Sequence, residues 1–373
     1  MPELQDIFNL HGADYRAAHD LPPHQISVMN AVCSCRTSVL GSHISRCDEC
    51  DFELISYNSC RNRHCPKCQA MAREDWVDKQ EQNLLNCRYF HTVFTVPPDL
   101  RQLFYQNQDV CYGILHKAVS ETIKELCADT KHLGAKPGVT SIMHTWGQNL
   151  SFHPHIHCII TGGGLTEFGT WKHSSKKFFL PVRILSKKFR GKLLYYLKKA
   201  NLSFFGGLKG LEEPARWESF LCKQYDTAWV VYCKKPFGDA SKVLRYLGRY
   251  THRVAISNNR IESLSDGLVT FQWRDYSDSN KSKLMTLTAD EFIRRFLMHV
   301  LPKGFRKIRH VGIFAARDKK QRLELCRRLT RTRIKVREPE TTLEKLTRIF
   351  GQDFNLCPSC KSGHMIRGAP CCA

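Results

Sequence analysis

The sequence predicts an α+β protein with one large core and small appended modules. Between residue 87 and about residue 314, short runs rich in β-branched and aromatic residues alternate with helix-forming stretches. The chain has 373 residues, which is enough to bury a sizeable core. Cysteines and histidines are concentrated near the N-terminus, whereas long repeats and low-complexity tracts are absent from the sequence. A solenoid or a largely disordered protein is therefore excluded.

The individual elements are predicted from local composition. A helix over residues 71–80 leads out of the cysteine-rich region. The β-rich runs predict strands at residues 89–96, 155–160, 228–232 and 268–273. Residues 289–300 form a further predicted helix. Strands and helices thus intermix along the chain.

The charge balance indicates a polyanionic partner. The chain carries 57 Lys and Arg against 35 Asp and Glu, for a net charge of +22 and a pI of about 9.4. This excess favours nucleic acid. A membrane role is not expected, because the sequence contains no apolar run of about 18 residues and no N-terminal signal pattern. We therefore expect a soluble, cytoplasmic protein.

Two Cys-x-x-Cys hooks near the N-terminus predict a structural zinc site. Each hook can place two thiolates on one ion, and the chain between them lets Cys47, Cys50, Cys65 and Cys68 converge on a tetrahedron. Four thiolates leave no open coordination position, so this zinc would serve folding. The alternative, that these are merely buried cysteines, does not account for their spacing.

Other cysteines have less specific patterns. A second zinc site could use some of the residues that interleave with the hooks, which are Cys35, His43, Cys60 and His64. A third hook, Cys357 with Cys360, has only His364, Cys371 and Cys372 nearby, so a metal site or buried thiols remain open there. Isolated cysteines are expected to be small buried hydrophobes, namely Cys87, Cys111, Cys127, Cys222 and Cys326.

Two histidines and two tyrosines are the candidates for catalysis. In a strand, His155 and His157 point to one face while Ile156 points to the other, so the imidazoles provide half of a metal site. On a helix, Tyr246 and Tyr250 share one face at i and i+4. Taken alone, each pair is more often a core feature, but Gly248 and the flanking arginines make a buried tyrosine stripe less natural.

In combination these motifs resemble the two-tyrosine HUH transposases that move bacterial insertion sequences by rolling-circle transposition. His155-Ile156-His157 matches the His-hydrophobe-His signature, and Tyr246 with Tyr250 matches the Tyr-x3-Tyr pair. Further similar stretches lie at residues 94–97, 251–258 and 292–305, and the N-terminal cysteines resemble that family's zinc-binding domain. The resemblance extends to about residue 315. It implies an HUH nuclease core whose central, mainly antiparallel sheet carries the histidines on a central strand, with flanking helices and the tyrosines on a facing helix.

The resemblance also implies a mechanism. A divalent ion, Mg²⁺ or Mn²⁺, would be held by His155 and His157 and would polarise the scissile phosphate. Gln148 is the preferred third ligand over His144 and His153. Tyrosine attack would give a 5′-phosphotyrosine and a free 3′-hydroxyl, and Arg249 and Arg253 would help to ionise the phenol. ATP is not expected, because the sequence has no phosphate-binding loop motif.

Three domains are expected: a zinc-binding domain at residues 1–82, the catalytic domain at 83–315, and a basic arm with a cysteine hook at 316–373. The expected partners are single-stranded DNA, hairpin-bearing transposon ends and target DNA, which places the protein at the bacterial nucleoid. Trp146, Trp273 and Tyr276 could stack on unpaired bases. The phosphate-contacting candidates in the arm are Arg317, Lys319, Lys320, Arg327, Arg328, Arg331 and Arg333.

Two rival functions remain open from the sequence. A plasmid or phage replication initiator uses the same HUH chemistry but does not need to join two different DNA ends. A non-catalytic, zinc-dependent DNA-binding regulator would need neither histidines nor tyrosines. The cysteine module favours the transposase over the initiator, and the intact His and Tyr pairs argue against the regulator.

Overall fold

The computed structural model describes residues 1–175, 179–237, 255–334 and 340–371, together with Arg245, Gly248 and Glu338. Its helices are α1 Leu4–Ala18, α2 Pro23–Cys33, α3 Gln69–Glu81, α4 Arg101–Gln106, α5 Gln108–Ala128, α6 Val182–Lys199, α7 Pro214–Asp226, α8 Ala289–Leu297, α9 Lys319–Leu329 and α10 Thr342–Phe350. Its strands are β1 Ser42–Cys47, β2 Glu53–Tyr57, β3 Tyr89–Thr95, β4 Lys136–Trp146, β5 Phe152–Leu165, β6 Trp171–His173, β7 Val231–Phe237, β8 Ile261–Ser265, β9 Leu268–Asp275, β10 Lys281–Thr288, β11 Ile308–Gly312 and β12 Met365–Cys371.

The chain divides into two compact units, each built from separate segments. The sheet unit comprises Val77–Thr251 and Leu301–Ile334, and the cysteine unit comprises Met1–Trp76, His252–Val300 and Lys335–Ala373. The expected domains at 1–82, 83–315 and 316–373 are continuous, so they differ from these units. Residues 255–300 and 340–371 belong to the same unit as the N-terminal residues.

The sheet unit contains a central antiparallel sheet in the order β11-β4-β5-β3-β7, and β6 pairs with β5. Strand β5 lies inside this order, between β4 and β3. Alternate side chains of β5, Ile156, Cys158 and Ile160, are buried in the main apolar core. This alternation confirms the predicted α+β fold and directs His155 and His157 to the other face.

Helices cover the core face of this sheet. Leu115 and Val119 of α5 and Phe189 of α6 are buried in the same core as Ile156. Phe189 meets Phe94 of β3 edge to face, with the ring centroids 5.2 Å apart. The core therefore fixes β3 and β5 from one side and leaves their other face for functional side chains.

The cysteine unit contains two three-stranded sheets, β12-β1-β2 and β10-β9-β8. Helix α8 packs on α1, where the rings of Phe8 and Phe296 lie edge to face at 5.6 Å. The Gln25 side-chain amide donates to the Leu297 carbonyl at 3.1 Å. These contacts explain why residues 252–300 group with the N-terminal helices.

Several predicted boundaries shift by a few residues. The strand expected at 228–232 begins at Val231, because Trp229 is buried and its indole N–H donates to the Gln224 carbonyl at 2.8 Å. The helix expected at 289–300 ends at Leu297. Among the described helices, none combines the length and the apolar character that crossing a bilayer requires.

Candidate active site and cysteine clusters

Three histidines converge on the face of the central sheet opposite the main apolar core. His144 of β4 pairs directly with His155 of β5, and His157 follows two residues later on the same face. One ring nitrogen from each of the three lies within 4.8 Å of the others. We call this set the histidine site. The antiparallel register places His144 beside His155. The sequence leaves His144 as one of several candidates for the third ligand.

Hydrogen bonds orient two of these imidazoles. The Nδ1–H of His155 donates to the His153 carbonyl oxygen at 2.6 Å. Nδ1 of His157 lies 2.8 Å from Nε2 of His91, and the two rings stack with an interplanar angle of 7°. Such partners on the outer nitrogen are typical of metal-binding histidines, because they fix the ring and its tautomer.

His91 is a residue that sequence reasoning missed. It lies on β3 and is buried, beside Thr92 and close to the strand position that pairs with His157. The signal was present in the sequence, because His91 and Val93 share one face of a predicted strand. Only the register of β3 against β5, with Val93 opposite His157, shows that this face meets the histidine site.

The surroundings keep the imidazoles of His155 and His157 neutral and add positive charge nearby. Burial, together with the positive charges of Lys307 and Arg101, lowers the pKa of His155 to about 4, although the hydrogen bond to the His153 carbonyl acts in the opposite direction. Burial also holds the pKa of His157 well below its usual range, with contributions from His155 and His91. Neutral imidazoles are the form that binds metal ions. Lys307 also lies over the Trp146 ring, 4.7 Å from its centroid.

The other predicted catalytic residues have different outcomes. Tyr246, Tyr250, Arg249 and Arg253 lie outside the described residues. Gly248, between the tyrosines, is buried with helical backbone. Gln148 lies in the turn after β4, outside the strand that carries His144. Its role as a third ligand stays a prediction.

Eight cysteines form two four-sulfur clusters in the cysteine unit. The first cluster contains Cys35, Cys60, Cys65 and Cys68, and the second contains Cys47, Cys50, Cys357 and Cys360. None of the eight forms a disulfide bond. Each cluster offers four thiolates, which is the donor set of a structural zinc site.

The expected convergence of Cys47, Cys50, Cys65 and Cys68 on one ion is therefore wrong. Cys47 ends β1, whose outer neighbour β12 brings in the C-terminal hook. Cys65 and Cys68 instead meet Cys35, which follows α2, and Cys60. His43 and His64, expected as further ligands, belong to neither cluster. His64 is buried, and its ring Nδ1 lies 3.2 Å from the Asn62 side-chain oxygen.

The predicted DNA-contacting residues group around α9 in the sheet unit. A cavity of about 640 Å³ is lined by Lys320, Arg327, Arg328, Arg331 and Arg333, together with Glu324, Thr332 and Ile334. We call it the basic cavity. Arg317 and Lys319 are not among its lining residues, and the Arg317 side chain is almost fully exposed.

Comparisons with known proteins find transposases. A family model described as a putative transposase matches residues 138–322, and one described as a transposase zinc-binding domain matches residues 7–96. The chain is 44% identical to the putative transposase y4qJ of Sinorhizobium fredii, over 98% of this chain and 94% of that protein. It is 27% identical to the transposase for insertion sequence element IS801 of Pseudomonas savastanoi pv. phaseolicola, over 79% of this chain and 71% of that protein.

Proposed function

Because this chain belongs to the family of IS91- and IS801-type insertion-sequence transposases, we propose that it cuts and rejoins single-stranded DNA by rolling-circle transposition. The observation that carries the proposal is the histidine site. The imidazoles of His144, His155 and His157 meet on the face of the central sheet opposite the main core, and partners already orient two of them.

The histidine site fits a divalent metal ion. His155 and His157 would bind it through Nε2, because Nδ1 of each ring faces a hydrogen-bond partner. His144 is the third donor that the geometry supports. Imidazole ligands suit Mn²⁺ better than Mg²⁺, which prefers oxygen ligands. When bound there, a divalent ion supplies positive charge that polarises a scissile phosphate.

The protein's own residues supply the rest of the reaction. We assign the nucleophile to Tyr246 and Tyr250 on the Tyr-x3-Tyr motif. The phenolic oxygen forms a bond to phosphorus, the bond from phosphorus to the 3′ oxygen breaks, and the phenolic proton ends on that 3′ oxygen. The 5′-phosphotyrosine retains the energy of the broken bond, so the reverse attack by another 3′-hydroxyl rejoins DNA without ATP.

Positive charge around the site favours a DNA strand over a small neutral substrate. Arg101 and Lys307 are close enough to influence the pKa of His155, so a phosphate beside the imidazoles would meet cations. The basic cavity offers further phosphate contacts from α9 and the residues after it. We propose that single-stranded, hairpin-bearing ends of the element occupy these surfaces.

The test is cleavage of labelled single-stranded oligonucleotides that tile the DNA on both sides of the coding sequence. With Mn²⁺, the wild type should give a covalent protein–DNA adduct on a denaturing gel. His155→Ala should lower the cleavage rate at least about 100-fold, because a metal ion contributes several kcal/mol to such transition states. His173→Ala is the matched control, since His173 is exposed on β6 away from the cluster.

The tyrosine assignment has its own variants. Tyr246→Phe/Tyr250→Phe should form no adduct, whereas Tyr276→Phe, at an exposed tyrosine, should behave as the wild type. An adduct in the folded double variant would place the nucleophile elsewhere. Equal cleavage by His155→Ala and the wild type at saturating Mn²⁺ would remove the metal role. Cleavage without joining of a second DNA end would favour a replication initiator.

A further inference from the structure

The second cysteine cluster joins two regions that are far apart in sequence. The Sγ atoms of Cys47 and Cys360 lie 3.7 Å apart, across 313 residues, and those of Cys50 and Cys357 also lie 3.7 Å apart, across 307 residues. A disulfide bond would bring sulfurs to about 2.05 Å. A tetrahedral zinc ion with bonds of about 2.3 Å would place them about 3.8 Å apart. The observed spacing is that of four ligands around one zinc ion.

Backbone amides already point at these sulfurs. The amide of Glu49 donates to Sγ of Cys47 and the amide of Ser359 donates to Sγ of Cys357, both at 3.4 Å. The amide of Gly363 donates to Sγ of Cys360 at 3.3 Å. Amide hydrogen bonds stabilise the thiolate form that a metal ion requires. Both hooks therefore have the same local geometry, with an amide two residues on facing the first sulfur.

The main chain around the cluster is also joined across the sequence. Strand β12 pairs antiparallel with β1, with Met365 opposite Cys47. The amide of His364 donates to the Asp48 side chain at 2.6 Å, and the amide of Asp48 donates to the His364 carbonyl at 3.1 Å. The Ser362 hydroxyl donates to the Glu49 carboxylate at 2.6 Å. These contacts orient the two hooks toward each other, in addition to the four sulfurs.

Gly363 shows how tightly the hooks fit. A Cβ atom built on this residue would lie 2.5 Å from Sγ of Cys47 and 2.8 Å from the Asp48 side-chain oxygen. Any side chain there would displace the Cys47 sulfur from the cluster. The close approach of the C-terminal loop to the N-terminal hook therefore requires glycine.

We propose that Cys47, Cys50, Cys357 and Cys360 bind a second zinc ion, which fastens the C-terminal residues 355–371 onto the β1–β2 hairpin. The matched zinc-binding domain ends at residue 96, so it does not include Cys357 or Cys360. Each chain then holds two structural zinc ions, one per cluster. Four thiolate ligands leave no open position, so the site is structural. It does not depend on the cleavage chemistry proposed above.

Metal analysis tests the stoichiometry. Wild-type protein purified anaerobically without chelator should contain two zinc ions per chain, and Cys357→Ser/Cys360→Ser should contain one. Cys222→Ser is the control, because Cys222 is exposed on α7 and should leave two. Gly363→Ala keeps every cysteine and should also lose one zinc. One zinc in the wild type, or two in the Cys357→Ser/Cys360→Ser variant, would overturn the proposal.

Alkylation of wild-type protein gives a test that needs no variant. Under reducing conditions, zinc-loaded protein should protect Cys357 and Cys360 from iodoacetamide, whereas exposed Cys222 reacts as an internal reference. Chelation should raise the alkylation rate of Cys357 and Cys360 to that of Cys222. Modification of Cys357 and Cys360 at the Cys222 rate in zinc-loaded protein would refute the second site. Peptide mass spectrometry reads out each cysteine separately.

Discussion

The histidine site and the cysteine clusters differ in how their ligands are brought together. His144 and His155 are paired across two neighbouring strands, and the apolar core beneath them fixes that register. The sulfurs of the second cysteine cluster come instead from loops separated by more than 300 residues. Sheet register can assemble the histidine site without metal, whereas loops with little core of their own depend on the metal to stay together.

The two kinds of site also differ in how deeply the neighbouring apolar side chains are buried. Ile156 and Cys158, the neighbours of the site histidines, are completely buried in the main core. Beside the second cysteine cluster, Leu54 and Ile55 of β2 and Ile366 of β12 are exposed. Little apolar burial supports that small sheet, so its stability must come largely from its ligands. Metal removal should therefore affect the two sites very differently.

The largest expected effect is unfolding of the cysteine clusters when zinc is removed. Structural zinc contributes about 10–16 kcal/mol of apparent binding free energy in small metal-dependent modules. Cys47→Ser/Cys50→Ser, or chelation of the wild type, should therefore abolish amide-exchange protection in β1 and β2. Protection in β4 and β5 should survive. Equal loss of protection in both units would show that the sheet around the histidine site also depends on zinc.

Removal of the site histidines should abolish DNA cleavage and leave the folded structure intact. His155→Ala/His157→Ala should bind Mn²⁺ too weakly to support cleavage, yet keep the zinc content and the cooperative unfolding of the wild type. Single-stranded DNA binding should also remain, because phosphate contacts dominate affinity. Zinc analysis, thermal unfolding and filter binding measure these three properties. A variant that loses zinc would contradict the independence of the two sites.

A smaller effect is expected at His91, which we regard as a positioning residue for His157. Removing such an outer partner costs about 10–100-fold in metal affinity. His91→Ala should therefore raise the Mn²⁺ concentration needed for half-maximal cleavage, while the rate at saturating Mn²⁺ changes little. His91→Gln keeps a hydrogen-bonding group and should partly restore the affinity. An unchanged Mn²⁺ dependence in folded His91→Ala would refute this role.

The smallest effect belongs to the basic cavity, which we expect to act independently of both metals. Arg328→Ala should weaken single-stranded DNA binding for all sequences and lower the slope of log affinity against log salt by about 0.7, the value for one phosphate contact. Arg274→Ala, at a β9 residue outside the cavity, should leave the slope unchanged. A slope that is equal in Arg328→Ala and the wild type would exclude this contact.

Local patterns in the sequence predict much of the histidine site. Alternation along residues 155–160 places His155 and His157 on one face, and the structure confirms that Ile156 and Cys158 take the other. The third histidine depends on strand register. Because His144 pairs with His155 through the turn at residues 147–151, its place is determined by where that turn falls. The sequence alone does not predict the position of this turn precisely enough to choose among Gln148, His144 and His153 as the third ligand.

For the cysteine clusters, the sequence predicts each Cys-x-x-Cys hook but not which hooks combine. The spacing of each hook correctly indicates that its two sulfurs lie in one cluster, because that is a local property of four residues. Which hooks combine is decided by the pairing of β12 with β1, a contact between the two ends of the chain. Nearness in sequence favours Cys65 and Cys68 as partners of Cys47 and Cys50, and that choice is wrong in the folded protein.

The distance between the two halves of the second cysteine cluster has a consequence during synthesis. A ribosome makes Cys50 307 residues before its partner Cys357. For most of that interval all four cysteines of the first cluster have been made, but Cys47 and Cys50 lack the two thiols that complete the second cluster. A chain released before Cys357 would lack both strand β12, which pairs with β1, and the two cysteines that complete the second cluster.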